Sequence, residues 1–197
     1  MPIFDNEILF LHIPRTGGSI IENKLKKIYN IDLFGGDETI GLSEQHFTAN
    51  EIMRRRINIH KLFSFTFVRN PFDRILSTYL NGIMNHTKSF DDYIDTIKNV
   101  VEKKLYYTIV SIDSSDLSHY KPQFELLENL TPDFIGRFEN YENDIKILSN
   151  MHPKLNCLCE VNIKKRNVDY KKYYNERNRK IIEELYKDDL KTFNYEF

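Results

Sequence analysis

The stretch Ile8–Ile21, "ILFLHIPRTGGSII", sets an unbroken apolar run against a short polar loop with two adjacent glycines. The chain then returns to apolar residues at helical spacing. An apolar run without alternation predicts a strand buried on both faces, as in a parallel sheet, here over Glu7–Ile13. Ile20, Ile21, Leu25 and Ile28 predict a helix over Gly18–Asn30. Strand, tight loop and helix form the first half of a βαβ unit. Glycines at that junction point to a phosphate loop, yet the G-x-x-x-x-G-K-[ST] signature is absent. No lysine follows Gly18, and the nearest cation, Arg15, precedes the glycines.

The rest of the chain repeats the alternation. "KLFSFTFV" (Lys61–Val68) is a second strand and leads into a helix within Arg69–Asn85, with Asn70 as its cap and Pro71 at the favoured first position. Asp133–Asn140 is a third strand. Helices are expected over Thr48–Arg56, where a capping box starts the run, and over Phe90–Leu105, Tyr141–Met151 and Asn175–Phe193. A short helix is expected near Pro122 and a basic loop over Asn162–Tyr174. No repeat or linker interrupts the pattern. It predicts an α/β fold, one domain over residues 1–197, with a P-loop-NTPase-like central parallel sheet flanked by helices.

A net charge of -1 gives no global field to recruit nucleic acid or an anionic membrane, so an anion site must be built locally. No apolar run approaches the ~18 residues of a membrane span, and the first ten residues lack a basic region. No integral membrane segment, no signal peptide and a cytoplasmic location are therefore expected. Cys157 and Cys159 stand one residue apart, too close for an unstrained disulfide and without the second pair of a zinc site. Two reduced thiols are expected.

Ligands of open parallel sheets bind beyond the carboxyl ends of the strands. In the first loop Gly17 and Gly18 let backbone approach a ligand, and the N–H groups of Gly18, Ser19 and Ile20 start a helix, where an anion binds well. Thr16 and Ser19 add hydroxyls and Arg15 a charge. A plain glycine turn capped by Ser19 is the alternative. In the second loop Arg69 ends a strand, and Ser77, eight residues on, falls on the second helical turn. The two can share a phosphate; otherwise Arg69 pairs with Asp73 and Ser77 lies on the helix surface. Arg74 is expected to be a structural or surface charge rather than a ligand, and His12 to be a buried support for the first loop. Two cradles on one edge imply a ligand with phosphates at both ends, such as 3′-phosphoadenosine 5′-phosphosulfate (PAPS).

"HIPRTGGSI" resembles the 5′-phosphosulfate loop of Golgi-type carbohydrate sulfotransferases, and "FTFVRNPFDRILSTYL" their 3′-phosphate motif. "SHYKPQFELL" is similar to the family's H-x-x-P-Q segment, "PDFIGRFENYENDIKIL" to its D-x-I-G-x-x-E region, and the terminal helix to its closing helix. The likeness spans nearly the whole chain and extends to the heparan sulfate 2-O- and 6-O-sulfotransferase branch and its bacterial relatives. It implies transfer of the sulfuryl group of PAPS to a carbohydrate or glycolipid hydroxyl, release of 3′,5′-ADP, and no metal. It places Arg15, Thr16, Gly17, Gly18, Ser19 and Ile20 on the 5′-phosphosulfate and Arg69 and Ser77 on the 3′-phosphate. Lys165 or Arg166 would close over the nucleotide. His46 is the implied base with Glu44 as the alternative, and His119 faces donor or acceptor. The family carries lysine at the position of Arg15. Arginine does not give up its proton, so Arg15 acts by charge alone. A non-catalytic nucleotide- or glycan-binding relative, a P-loop-type kinase and a tyrosine-directed protein sulfotransferase are the rival readings. The kinase would need the missing lysine and a metal-holding aspartate.

Overall fold

A computed structural model describes residues 2–32, 49–50, 58–82, 89–107, 117–128, 130–163, 166 and 168–197. Among these residues five strands form one sheet, β1 (Ile3–Phe4), β2 (Ile8–Leu11), β3 (Ile31–Asp32), β4 (Phe63–Val68) and β5 (Phe134–Arg137), in the order β3-β1-β2-β4-β5. The three strands expected from the apolar runs form the parallel centre, with Leu11 opposite Thr66 and Val68 opposite Arg137. The sequence reading did not anticipate β1 and β3, which pair antiparallel at one edge. Each has two residues, too few to show a period. β1 turns back into β2 because Asp5 and Asn6 adopt left-handed backbone, φ 48° and 54°, which short polar side chains tolerate.

The helices are α1 (Gly18–Leu25), α2 (Pro71–Leu80), α3 (Phe90–Glu102), α4 (Gln123–Leu127), α5 (Tyr141–Met151), α6 (Glu176–Leu185) and α7 (Lys187–Thr192). Asn70 caps α2 as expected, its Oδ1 accepting the Phe72 N–H at 3.0 Å. The single terminal helix of the sequence reading is two helices. At Tyr186 the backbone leaves helical geometry (φ -115°, ψ 24°), and the buried ring sends its hydroxyl to the Tyr120 carbonyl at 2.7 Å.

Side-chain alternation along the central strands divides the core. Leu9, Leu11 and Val68 face a cluster with Leu126 and Phe193. Ile8, Phe10, Phe65 and Phe67 face the opposite cluster, with Ile21, Leu25, Tyr141 and Ile145. Both faces of the sheet are thus covered, which is why the strands read as unbroken apolar runs. A third cluster, with Phe72, Tyr93, Ile97 and Tyr186, joins α2, α3 and α6.

Candidate anion site at the sheet edge

The parallel register brings the ends of β2, β4 and β5 to one edge, and each strand is followed at once by a turn or helix. After β2 the chain makes a tight loop in which Arg15 (φ 69°) and Gly17 (φ 86°) are both left-handed. The Thr16 hydroxyl donates to the Ile13 carbonyl at 2.8 Å and closes this loop. Its side chain is fully buried, so Thr16 shapes the loop from inside. Gly18 sits directly on the His12 ring: a Cβ there would lie 2.3 Å from its Cδ2, 2.5 Å from its Nε2 and 2.9 Å from Phe10 Cζ. His12 cannot yield easily. Its Nδ1 lies 2.7 Å from Glu22 Oε1, both side chains are buried, and its ring stacks on Phe10. His12 is thus the support that the sequence suggested.

Gly17, not Ser19, is the cap of α1. The Ile20 N–H, expected to be open, bends to the Gly17 carbonyl at 3.3 Å. Among the described residues the Gly18 and Ser19 N–H groups make no such bond, and they are the donors left for an anion.

After β4 the arrangement is different. Arg69 Nε donates to Asp73 Oδ2 at 2.8 Å and Nη1 to the Arg15 carbonyl at 3.0 Å. The guanidinium carbon stands 3.9 Å from the centre of the Phe138 ring, a cation–π contact supplied by the turn after β5. The pairing with Asp73, set out as the alternative to a ligand role, is therefore present. Among the described residues Nη2 makes no hydrogen bond. Ser77 is 8% exposed, which rules out a helix-surface serine. Its Oγ accepts from Arg15, Nη2 at 3.1 Å and Nε at 3.3 Å, rather than from Arg69. Arg15 therefore links the two loops. Arg74 is structural: it is fully buried and its Nη2 donates to the Lys121 carbonyl at 2.6 Å.

A cavity of about 300 Å³ opens between the loops. Arg15, Gly17, Gly18, Ser19 and Ile20 line it from the first loop and α1, Arg69 and Ser77 from the second, and Arg166 from the late loop. Burial, with Arg69 and Arg166 close by, pulls the Arg15 pKa below the usual guanidinium value. Among the described residues Arg15 and Arg166 make no ion pair, and Asp73 alone pairs with Arg69. Three guanidinium groups around one small space repel one another, and an anion with more than one negative charge relieves that repulsion.

Eight of the ligand candidates singled out in the sequence thus meet in one cavity, together with His12, their expected support. His119 lies half-buried in a short turn before α4 and is not among the cavity residues. His46, Glu44 and Lys165 lie outside the described residues. The sequence reading missed Phe138 and Ile163, which also line the cavity. Phe138 follows the third parallel strand, and the rule that ligands sit beyond strand ends could have found it. Ile163 carries no such signal. Among the described residues no group of three or more His, Cys, Asp or Glu is placed to hold a metal, and no helix is long and apolar enough to cross a membrane.

A family model described as "Sulfotransferase family" matches residues 4–196. No curated protein and no solved structure matches the chain.

Proposed function

This chain belongs to the sulfotransferase family, and from that premise we propose that it moves the sulfuryl group of PAPS to a hydroxyl of a carbohydrate or glycolipid acceptor. In that reaction the acceptor oxygen bonds sulfur while the bond from sulfur to the bridging oxygen breaks. The hydroxyl proton passes to a base and 3′,5′-ADP leaves. The observation that carries the reading is one cavity shared by a helix start with open N–H groups and by three arginines, two of them without a carboxylate among the described residues.

The residues divide the work. Gly18 and Ser19 N–H groups hold the 5′-phosphosulfate, where the helix dipole favours negative charge. Arg69 and Ser77 hold the 3′-phosphate, and Arg166, with Lys165, closes over the nucleotide. Arg15 stands between the cradles, bonded to Ser77, and offsets charge on the leaving bridging oxygen without giving up a proton. His46 is the base in this reading, with Glu44 as the second choice; a neutral imidazole suits removal of a hydroxyl proton near neutral pH. His119 contacts the acceptor or donor from beyond the described cavity.

Thermal unfolding with added nucleotides tests the assignment. 3′,5′-ADP raises the melting temperature by several degrees, as a ligand near a hundred times its Kd contributes about 2.7 kcal/mol. 5′-AMP and ATP with Mg²⁺ do far less. Equal stabilisation by all three sinks the two-cradle reading. A non-catalytic nucleotide-binding relative is the second reading, and the arginine at position 15 favours it. Labelled PAPS incubated with candidate glycans separates the two, since the binding-only protein leaves the label on the donor.

A further inference from the structure

Gln123 is fully buried at the first position of α4, 54 residues from Arg69 in sequence. Its Oε1 accepts the Arg69 N–H at 2.9 Å and its Nε2 donates to the Arg69 carbonyl at 2.8 Å. A side-chain amide thus takes both hydrogen bonds of one residue's main chain, as a neighbouring strand would. It does so one residue beyond Val68, where pairing with β5 ends. Asp189, fully buried on α7, holds the amide in turn. Its Oδ2 accepts the Gln123 N–H at 2.9 Å and Nε2 at 3.3 Å, and its Oδ1 accepts the Phe124 N–H at 2.8 Å.

These partners fix the orientation of the amide. Flipped, its oxygen would face both the Arg69 carbonyl and the Asp189 carboxylate, and its nitrogen would face the Arg69 N–H. We propose that Gln123, held by Asp189, is a positioning residue that fixes the main chain of Arg69 so that its guanidinium meets the donor's 3′-phosphate. The inference rests on the assignment of the 3′-phosphate to Arg69. Asp73, the Arg15 carbonyl and the Phe138 ring hold the tip of the Arg69 side chain. Gln123 holds its root. A charged hydrogen bond depends on both, because a guanidinium displaced by a fraction of an ångström loses its alignment.

The test compares the full-length chain with Gln123→Leu by calorimetry, using 3′,5′-ADP and 5′-AMP as probes. The ratio of the two affinities is the readout. It is expected to fall about tenfold in the variant, one charged hydrogen bond's worth, while 5′-AMP affinity stays within about twofold. Hydrogen exchange at the Arg69 amide is expected to quicken in parallel. A variant that is less stable but keeps the wild-type ratio overturns the inference and leaves Gln123 a support for the fold alone. A wild type with no preference for 3′,5′-ADP overturns the phosphate assignment itself, and the inference with it, so the two failures are distinct. If the Leu variant does not fold, Gln123→Met decides by the same ratio, since it keeps the length and volume of the side chain and loses both bonds to the Arg69 main chain without adding a charge beside Asp189.

Discussion

The two loops that face the cavity are built by opposite means. The loop after β2 is shaped from within: two left-handed residues, Arg15 and Gly17, and a threonine bonded three residues back bend it into a cradle. The start of α2 after β4 has no left-handed residue and is held from far along the chain. Gln123 bonds the Arg69 main chain, Glu139 accepts the Asn70 N–H at 2.7 Å, and Asn70 Nδ2 donates to the Glu196 carbonyl, 126 residues away, at 2.7 Å. The difference teaches that one cradle is set chiefly by its own conformation, with Arg69 and Tyr141 bonding its Arg15 and Gly17 carbonyls, and the other by tertiary scaffolding of its main chain. The first should break when an atom is added, the second when one is removed.

The largest expected effect comes from adding an atom. Gly18→Val places a Cβ inside contact distance of His12 and Phe10, and the His12 ring is pinned by Glu22. Overpacking of this kind costs about 1–3 kcal/mol of stability. The cradle must also shift, so affinity for 3′,5′-ADP and for 5′-AMP is expected to fall together, by about a hundredfold. Denaturant unfolding and calorimetry check both. Unchanged affinity for both nucleotides would show that the 5′-phosphate does not rest on this loop.

Next comes the removal of a side chain. Arg69→Ala is expected to weaken 3′,5′-ADP by about 1.5–3 kcal/mol, the range for hydrogen bonds to charged groups, and to leave 5′-AMP unaltered. Most of the preference for 3′,5′-ADP is then lost, leaving at most the share that Ser77 supplies. A variant that keeps the full preference places the second cradle elsewhere and dissolves the contrast between loops that select and loops that hold.

The same contrast explains what the sequence disclosed. The first loop was legible because its determinants are adjacent: a buried strand, two glycines and a helix start within one short stretch. Arg69 and Ser77 were legible as residues because a strand end and a helical turn are local facts. Their contacts were not. Ser77 bonds Arg15 across 62 residues, and Gln123 reaches Arg69 across 54. No local pattern of charge or hydropathy records which buried amide will pair with which strand end. The edge strands β1 and β3 escaped for another reason, since two residues cannot establish an alternation. The break at Tyr186 escaped because polar and apolar spacing runs on through it. That break separates α7, which carries Asp189, from α6.

Ser77 is the residue that the comparison leaves between the loops, and it gives the smallest effect. It belongs to α2, yet among the described residues both hydrogen bonds that its Oγ accepts come from Arg15. Ser77→Ala removes an acceptor for a guanidinium that has no ion pair among the described residues. It also removes a hydroxyl that faces the cavity. A single hydrogen bond of this kind contributes about 0.5–1.5 kcal/mol, or roughly two- to tenfold in affinity. If Ser77 serves the 3′-phosphate, the loss falls on 3′,5′-ADP and spares 5′-AMP. If its work is to steady Arg15 for the first loop, both nucleotides weaken equally, and the boundary between the cradles moves to the far side of Ser77. The double variant Arg15→Ala, Ser77→Ala separates these outcomes: losses that fail to add show that the two side chains act as one unit, and additive losses show that each cradle holds its own phosphate.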